Sequence, residues 1–159
     1  MPRPARWFML AAAVLVLDYA TKIAVLGTFA PGEGLALAPF FNLVLVFNKG
    51  AAFSFLASAQ GWQTLFFAGI AIVASAVVSF LILKNAGKTL FCAALALILG
   101  GALGNLYDRI AYGHVVDFLD FHAAGWHFPA FNVADSAITV GAAILILESF
   151  MHREPASGK

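Results

Sequence analysis

Charge is scarce in this chain. Only 11% of its 159 residues are Asp, Glu, Lys or Arg, and the formal net charge is +1, whereas soluble domains carry about 25% charged residues. A nucleic-acid binder needs a basic excess to meet phosphates, so that partner class is excluded. Cysteine is nearly absent too: Cys92 is the one copy, so no internal disulfide can form, and it lies within an apolar run. Long polar or low-complexity tracts and internal repeats are missing as well, which excludes a disordered chain. What remains is apolar. Hydrophobic residues make up 62% of the chain and the mean hydropathy is +0.92. A compact body of this size cannot hide so much apolar surface from water, so part of that surface faces an oily phase. The composition is that of an integral membrane protein.

A membrane-crossing helix needs about 20 mostly apolar residues, because roughly 30 Å of hydrocarbon is crossed at about 1.5 Å per residue. Four stretches meet that length, and the sequence predicts spans over about 7–26, 63–83, 90–107 and 133–150 of a single membrane domain covering 1–159. Outer connections are predicted over 27–62 and 108–132, whereas Lys84 to Thr89 makes a tight polar turn. Arg3, Arg6, Lys84, Lys88, Arg153 and Lys159 fall on one side, six of the nine basic residues. The positive-inside rule makes that side cytoplasmic, with both termini there. The first apolar run is about 20 residues long, more than the 7–15 of a cleaved signal peptide, and is therefore read as a span.

The stretch from Phe40 to Phe47 is too short to span and is rich in β-branched and aromatic residues. Bracketed by Pro39 and by Asn48-Lys49-Gly50, it is predicted to be a strand, with Ala51–Leu56 as its hairpin partner. The expected fold class is thus an all-α membrane protein of four transmembrane helices, with a small outer β-platform from the first long loop. Trp62, Phe66, Phe67, Tyr107, Tyr112, Trp126 and Phe128 cluster near predicted helix ends and read as an interfacial belt.

Charged side chains inside a bilayer cost about 2.5–3.5 kcal/mol each on insertion scales, so the few present need a reason. Asp18 and Lys22 are four residues apart, on one face of the first span. They are either a self-neutralising pair that helps insertion or part of a site. Gly100 and Gly104 form a GxxxG, which is a helix-packing device. Asn105 and Arg109 lie one turn apart and can address one pocket, although Arg109 can equally pair with Asp108 or a lipid phosphate. Asp117 is embedded in Gly113-His114-Val115-Val116-Asp117-Phe118, and Asp135 falls in the first turn of the last helix, where Asn132 and Asp135 also suit a capping box. Asp120 and Glu148 are expected to meet water. Two carboxylates at one depth can share a water, one keeping its proton and the other acting as base.

Rival sites are poorly supported. His114, Asp117, Asp120, His122 and His127 lack a recognised zinc-ligand spacing. Ser54, Ser58 and Ser136 have no G-x-S-x-G context. No metal or other cofactor is expected.

Five blocks carry a family resemblance: Asp18-Tyr19-Ala20-Thr21-Lys22, Phe47-Asn48-Lys49-Gly50-Ala51-Ala52-Phe53-Ser54, Gly100 to Arg109, Gly113 to Phe118, and Phe131-Asn132-Val133-Ala134-Asp135-Ser136. In that order, and on four predicted spans, they resemble bacterial lipoprotein signal peptidase (signal peptidase II) over nearly the whole chain. The resemblance implies a membrane aspartic endopeptidase that removes signal peptides from diacylglyceryl-modified prolipoproteins, cutting just before the lipidated cysteine. It implies Asp117 and Asp135 as catalytic acids, with Asn48, Asn105, Arg109 and Asn132 around them and Asp18 and Lys22 as a family pair. It further implies lipidated precursors and membrane lipids as partners, a monomer, and a place in the bacterial inner membrane with the site near its outer face. Tyr19 stands where many relatives have Gln, and Lys49 replaces a commoner Thr or Ser. The alternatives are a proton- or ion-translocating carrier built on intramembrane acids, and a non-catalytic scaffold.

Overall fold

The computed structural model describes residues 3–50 and 62–151. Four helices dominate them: α1 (Ala5–Leu26), α2 (Trp62–Lys84), α3 (Thr89–Tyr112) and α4 (Val133–Met151). Each is long and apolar enough to cross a membrane, and the chain is a multi-pass membrane protein.

Helix α3 is the centre of the bundle and packs against α1, α2 and α4. Glycines make this close approach possible, because lipid gives helices no hydrophobic reason to associate and tight packing must do so. A Cβ on Gly100 would stand 2.5 Å from the carbonyl oxygen of Ala11 in α1, and one on Gly101 would collide with the carbonyl of Ala134 in α4. The GxxxG therefore has the packing role expected of it, with two neighbouring helices seated on adjacent glycines. Continuous with this contact, Trp7, Ala11, Val78, Ile82, Cys92, Leu95, Ala96 and Leu99 close an apolar core between α1, α2 and α3.

The third helix runs five residues past the predicted end at Tyr107, so Asp108 and Arg109 are helical and the second outer connection starts at Gly113. A charged side chain such as Asp108 is costly inside an apolar helix. That carboxylate is buried against Lys22 at 2.8 Å, which removes the reason to leave the helix. Gly113 then ends α3 in the left-handed region at φ 75°, a conformation that only glycine adopts without strain.

A four-stranded antiparallel sheet covers one end of the bundle, in the order β1 (Gly34–Ala38), β2 (Phe41–Asn48), β3 (Val115–Ala123), β4 (Trp126–His127). The predicted strand over Phe40 to Phe47 is β2. Its expected partner, Ala51–Leu56, lies outside the described residues. Among the described residues β2 pairs with β1 before it and β3 after it. The first long loop supplies β1 and β2, as the expected platform requires, and the second outer connection adds the other two of the four strands. That contribution was hidden because Val115–Ala123 carries Asp117, Asp120 and His122, which break a simple apolar pattern. One part of the sheet packs Leu45, Val116 and Phe118 onto Val25 near the end of α1, which fixes the sheet to the bundle.

Candidate active site

Two acids on different elements, 18 residues apart in the chain, open onto one cavity. Asp117 stands on β3, and Asp135 sits in the first turn of α4. Both line a cavity of about 850 Å³, together with Val46, Asn48, Phe128, Phe131 and Val140. Its walls are mostly apolar and its few polar groups converge, the usual composition of a ligand site.

Local sequence explains each placement. Between β2 and β3 the register shifts between Leu43 and Val46, which brings Val46 opposite Asp117. Bulges of this kind turn a strand and re-aim its side chains. Past the shift, the Asn48 amide donates to Asp117 Oδ2 at 3.0 Å. At α4, Asn132 is the N-cap: its Oδ1 accepts the Asp135 N–H at 2.9 Å, satisfying one of the helix's orphan donors. The capping residue was expected, but its reciprocal half does not form. Asp135 Oδ1 instead accepts the Asn105 amide at 2.7 Å.

Two asparagines join the acids. Asn132 Nδ2 donates to Asp117 Oδ1 at 2.7 Å, and also approaches Asn105 Oδ1 and the Val116 carbonyl, each at 3.2 Å. Asn105 in turn holds Asp135. Each carboxylate therefore contacts one member of a bonded Asn105–Asn132 pair. Asp117 is 1% exposed and Asn132 0%. Burial, reinforced by the nearby charge of Asp135, pushes the Asp117 carboxyl up to about 7, even though the Asn48 and Asn132 amides favour its ionised form.

Below the asparagines lies an ionic cluster. Lys22 Nζ meets Asp18 Oδ2 at 2.7 Å, Asp108 Oδ2 at 2.8 Å and Asn105 Oδ1 at 3.2 Å. The Asp18–Lys22 pair is thus neither self-contained nor remote from the site; it reaches Asp135 through Asn105. Arg109 does not pair with Asp108. Its Nη1 donates to the Asn105 carbonyl at 3.0 Å, and its guanidinium lies 5.6 Å from the centre of the Phe67 ring. Asn48, Asn105, Arg109, Asn132, Asp18 and Lys22 are all drawn into one assembly with Asp117 and Asp135.

Asp108 is the member that the sequence reading did not single out. Its spacing of three from Asn105, on the same helical face, was the available signal. Asp120 is a correction: expected to meet water, it is 7% exposed. It accepts the Asn42 amide at 2.8 Å and contacts His127 Nδ1 at 2.9 Å. Burial alone would raise its carboxyl, but those two partners, with His122 nearby, hold it below the ordinary value. Asp120 and His127 serve the sheet, and among the described residues no His, Cys, Asp and Glu group is arranged to hold a metal ion.

With this geometry in view, comparison with known proteins is decisive. The family model for signal peptidase (SPase) II matches residues 10–151. The chain belongs to the signal peptidase II family. It is 55% identical over 144 residues to the lipoprotein signal peptidase of Paraburkholderia phymatum, and 56% identical over 144 residues to that of Burkholderia vietnamiensis. Each alignment covers 91% of this chain and 87% of the relative. A bacterial membrane enzyme solved by the in meso method at 2.3 Å superposes with a TM-score of 0.82 at 31% identity, over 97% of this chain and 95% of that one. A second such structure, at 1.9 Å, gives the same score and identity over 94% and 95%. The protein is accordingly a membrane peptidase.

Proposed function

We propose that the protein is an aspartic endopeptidase that removes the signal peptide from diacylglyceryl-modified prolipoproteins, cutting just before the lipidated cysteine, with Asp117 and Asp135 as the catalytic pair. What supports this reading most directly is that both carboxylates open onto one apolar-walled cavity while each is held by a different member of the Asn105–Asn132 pair.

Asp117 is the natural holder of the shared proton, because its buried carboxyl titrates near 7. Asp135, in the first turn of α4, accepts the Asn105 amide at Oδ1 and takes the part of the base. A water between them gives a proton to Asp135 as its oxygen attacks the scissile carbonyl. The Asp117 proton passes to the carbonyl oxygen, so no free oxyanion has to form. On collapse, the proton held by Asp135 goes to the departing cysteine nitrogen. Asp117 recovers its own from a hydroxyl of the tetrahedral intermediate, leaving a carboxylic acid and an amine. Atoms and protons balance with water alone as co-reactant. Val46, Phe128, Phe131 and Val140 offer apolar wall to a lipid-linked segment, and Arg109 lies within electrostatic range of both acids.

The six-of-nine bias of basic residues supports cytoplasmic termini and a site near the outer face of the inner membrane. The ion-carrier alternative is not favoured, because the matched family is a peptidase family.

The test is product mass after incubating purified protein with a diacylglyceryl-modified precursor in EDTA. Wild type should release the signal peptide at an unchanged rate in chelator. Asp117→Asn and Asp135→Asn, folded as judged by circular dichroism, should each lose at least about 10³-fold of that rate, within the span that general acid–base catalysis and electrostatic stabilisation together supply. Full turnover by both variants overturns the assignment.

A further inference from the structure

The ionic cluster beneath the site has a geometry that charge neutralisation alone does not require. Lys22, Asp18 and Asp108 are each no more than 2% exposed. The ammonium has three protons and three acceptors: Asp18 Oδ2 at 2.7 Å, Asp108 Oδ2 at 2.8 Å and Asn105 Oδ1 at 3.2 Å. Each carboxylate also takes one backbone N–H from a different element. Asp18 Oδ1 accepts from Ala134 at 2.9 Å, and Asp108 Oδ2 accepts from Val116 at 3.0 Å. Ala134 is the residue immediately before Asp135, and Val116 the residue immediately before Asp117. One lysine thus carries two carboxylates that hold the chain at the same step ahead of each acid.

We propose that Asp108 is a positioning residue for the peptidase reaction, acting with Lys22 and Asp18 as a clamp that sets the separation of Asp117 and Asp135; this rests on the catalytic assignment above. The N–H of Ala134 is an orphan donor of the first turn of α4, and Asp18 caps it from α1. The start of α4 is therefore pinned twice, by Asn132 from within and by Asp18 from outside. In β3 the Val116 N–H lies in the peptide unit one step before the one that joins Val116 to Asp117, so the Asp108 contact fixes the strand next to that acid. Both fixed points converge on Lys22, which also sets Asn105 and through it the Asp135 side chain. Gly104 leaves room for this arrangement: a Cβ there would come 2.5 Å from Asp18 Oδ2. Two acids that share one water need a fixed spacing, and a displacement of about 1 Å can cost 10²-fold in rate.

The experiment uses purified full-length protein and a diacylglyceryl-modified precursor, reading kcat, KM and the pH profile of kcat. Asp108→Ala removes the acceptor, whereas Asp108→Asn keeps an oxygen for both Val116 and Lys22. We expect D108A to lose about 100-fold in kcat with KM within about threefold, and its pH profile to shift because the two acids no longer sit at their native spacing. D108N should retain kcat within about tenfold of wild type. A D108A kcat within threefold of wild type, or a D108N as impaired as D108A, overturns the proposal. Should D108A fail to fold, the Val116 amide proton decides in D108N. Its NMR resonance should move upfield as a charged acceptor is replaced by a neutral one, and an unmoved resonance overturns the clamp. Asp117→Asn and Asp135→Asn run alongside separate the two ideas. If both are inactive while D108A turns over normally, only the clamp fails; if both are active, the catalytic assignment fails as well.

Discussion

Asn132 Nδ2 lies 2.7 Å from Asp117 Oδ1, while the Oδ1 of the same amide caps α4 by accepting the Asp135 N–H. One side chain thus ties a strand residue to a helix start. The two duties separate by mutation. Asn132→Asp keeps the capping oxygen but sets a carboxylate against Asp117 in place of a donor. It should lose about 100-fold or more in kcat and also melt below wild type, because a buried carboxylate then faces Asp117, Asn105 Oδ1 and the Val116 carbonyl without a donor. Asn132→Ala loses both contacts and should also lose about 1 kcal/mol of stability from the missing cap. Thermal unfolding and steady-state kinetics on both variants check this.

Stability should depend on pH through Asp117. Its folded value, about 7, lies above the 3.8 of an ordinary aspartate, so between these values the folded state binds more protons than the unfolded chain. Stability contributed by the protonated carboxyl is complete below about pH 4 and is lost as pH rises through about 7. Asp117→Asn, which cannot ionise, should flatten that dependence and melt above wild type at pH 8. Melting temperatures across pH 5 to 8 in both proteins give the comparison.

Activity should follow the same group with its own sign. If Asp117 must carry a proton to protonate the carbonyl oxygen, kcat/KM falls as pH rises through about 7. A profile still rising at pH 8 would count against Asp117 as the acid.

Gly101 seats the start of α4, and a Cβ there would collide with the Ala134 carbonyl. Gly101→Ala should cost about 1–3 kcal/mol by overpacking, and because Ala134 precedes Asp135 it should lower kcat as well. Ala is otherwise the better helix former, so a stabilised G101A would show that the contact is not restrictive. Denaturation in detergent micelles, read by helical signal, settles the direction.

The sheet has its own polar tie. Asp120 accepts from Asn42 and contacts His127 while nearly buried. Asp120→Ala would leave the Asn42 amide without this acceptor, and should lower stability by about 1–3 kcal/mol. Because its carboxyl is held below the ordinary value, the stabilisation is present above about pH 4 and is lost as pH falls through the folded value. Asp120 lies outside the cavity lining, so kcat at neutral pH should change little in whatever fraction stays folded.

Hydropathy made the four helices legible, because an apolar run of about 20 residues has few other stable homes. Asn132 as a cap was legible for a similar reason: capping depends on a few neighbouring residues. The extension of α3 through Asp108 was not, because a carboxylate that looks like an exit from the membrane becomes compatible with it only when Lys22, 86 residues earlier, supplies the counter-charge. The buried Asp120 was missed on the same grounds, since Asn42 reaches it across 78 residues of sequence.

The amino-acid order alone therefore determined that this chain lives in a membrane, where its helices run, and which acids were worth attention. Those are properties of composition and short-range spacing. Tertiary structure decided that both acids face one cavity, that paired asparagines hold them, and that a single buried lysine links the residues ahead of each. Such matters depend on contacts between elements far apart along the chain, where a shift of one strand register or one helical turn would send the same side chains elsewhere.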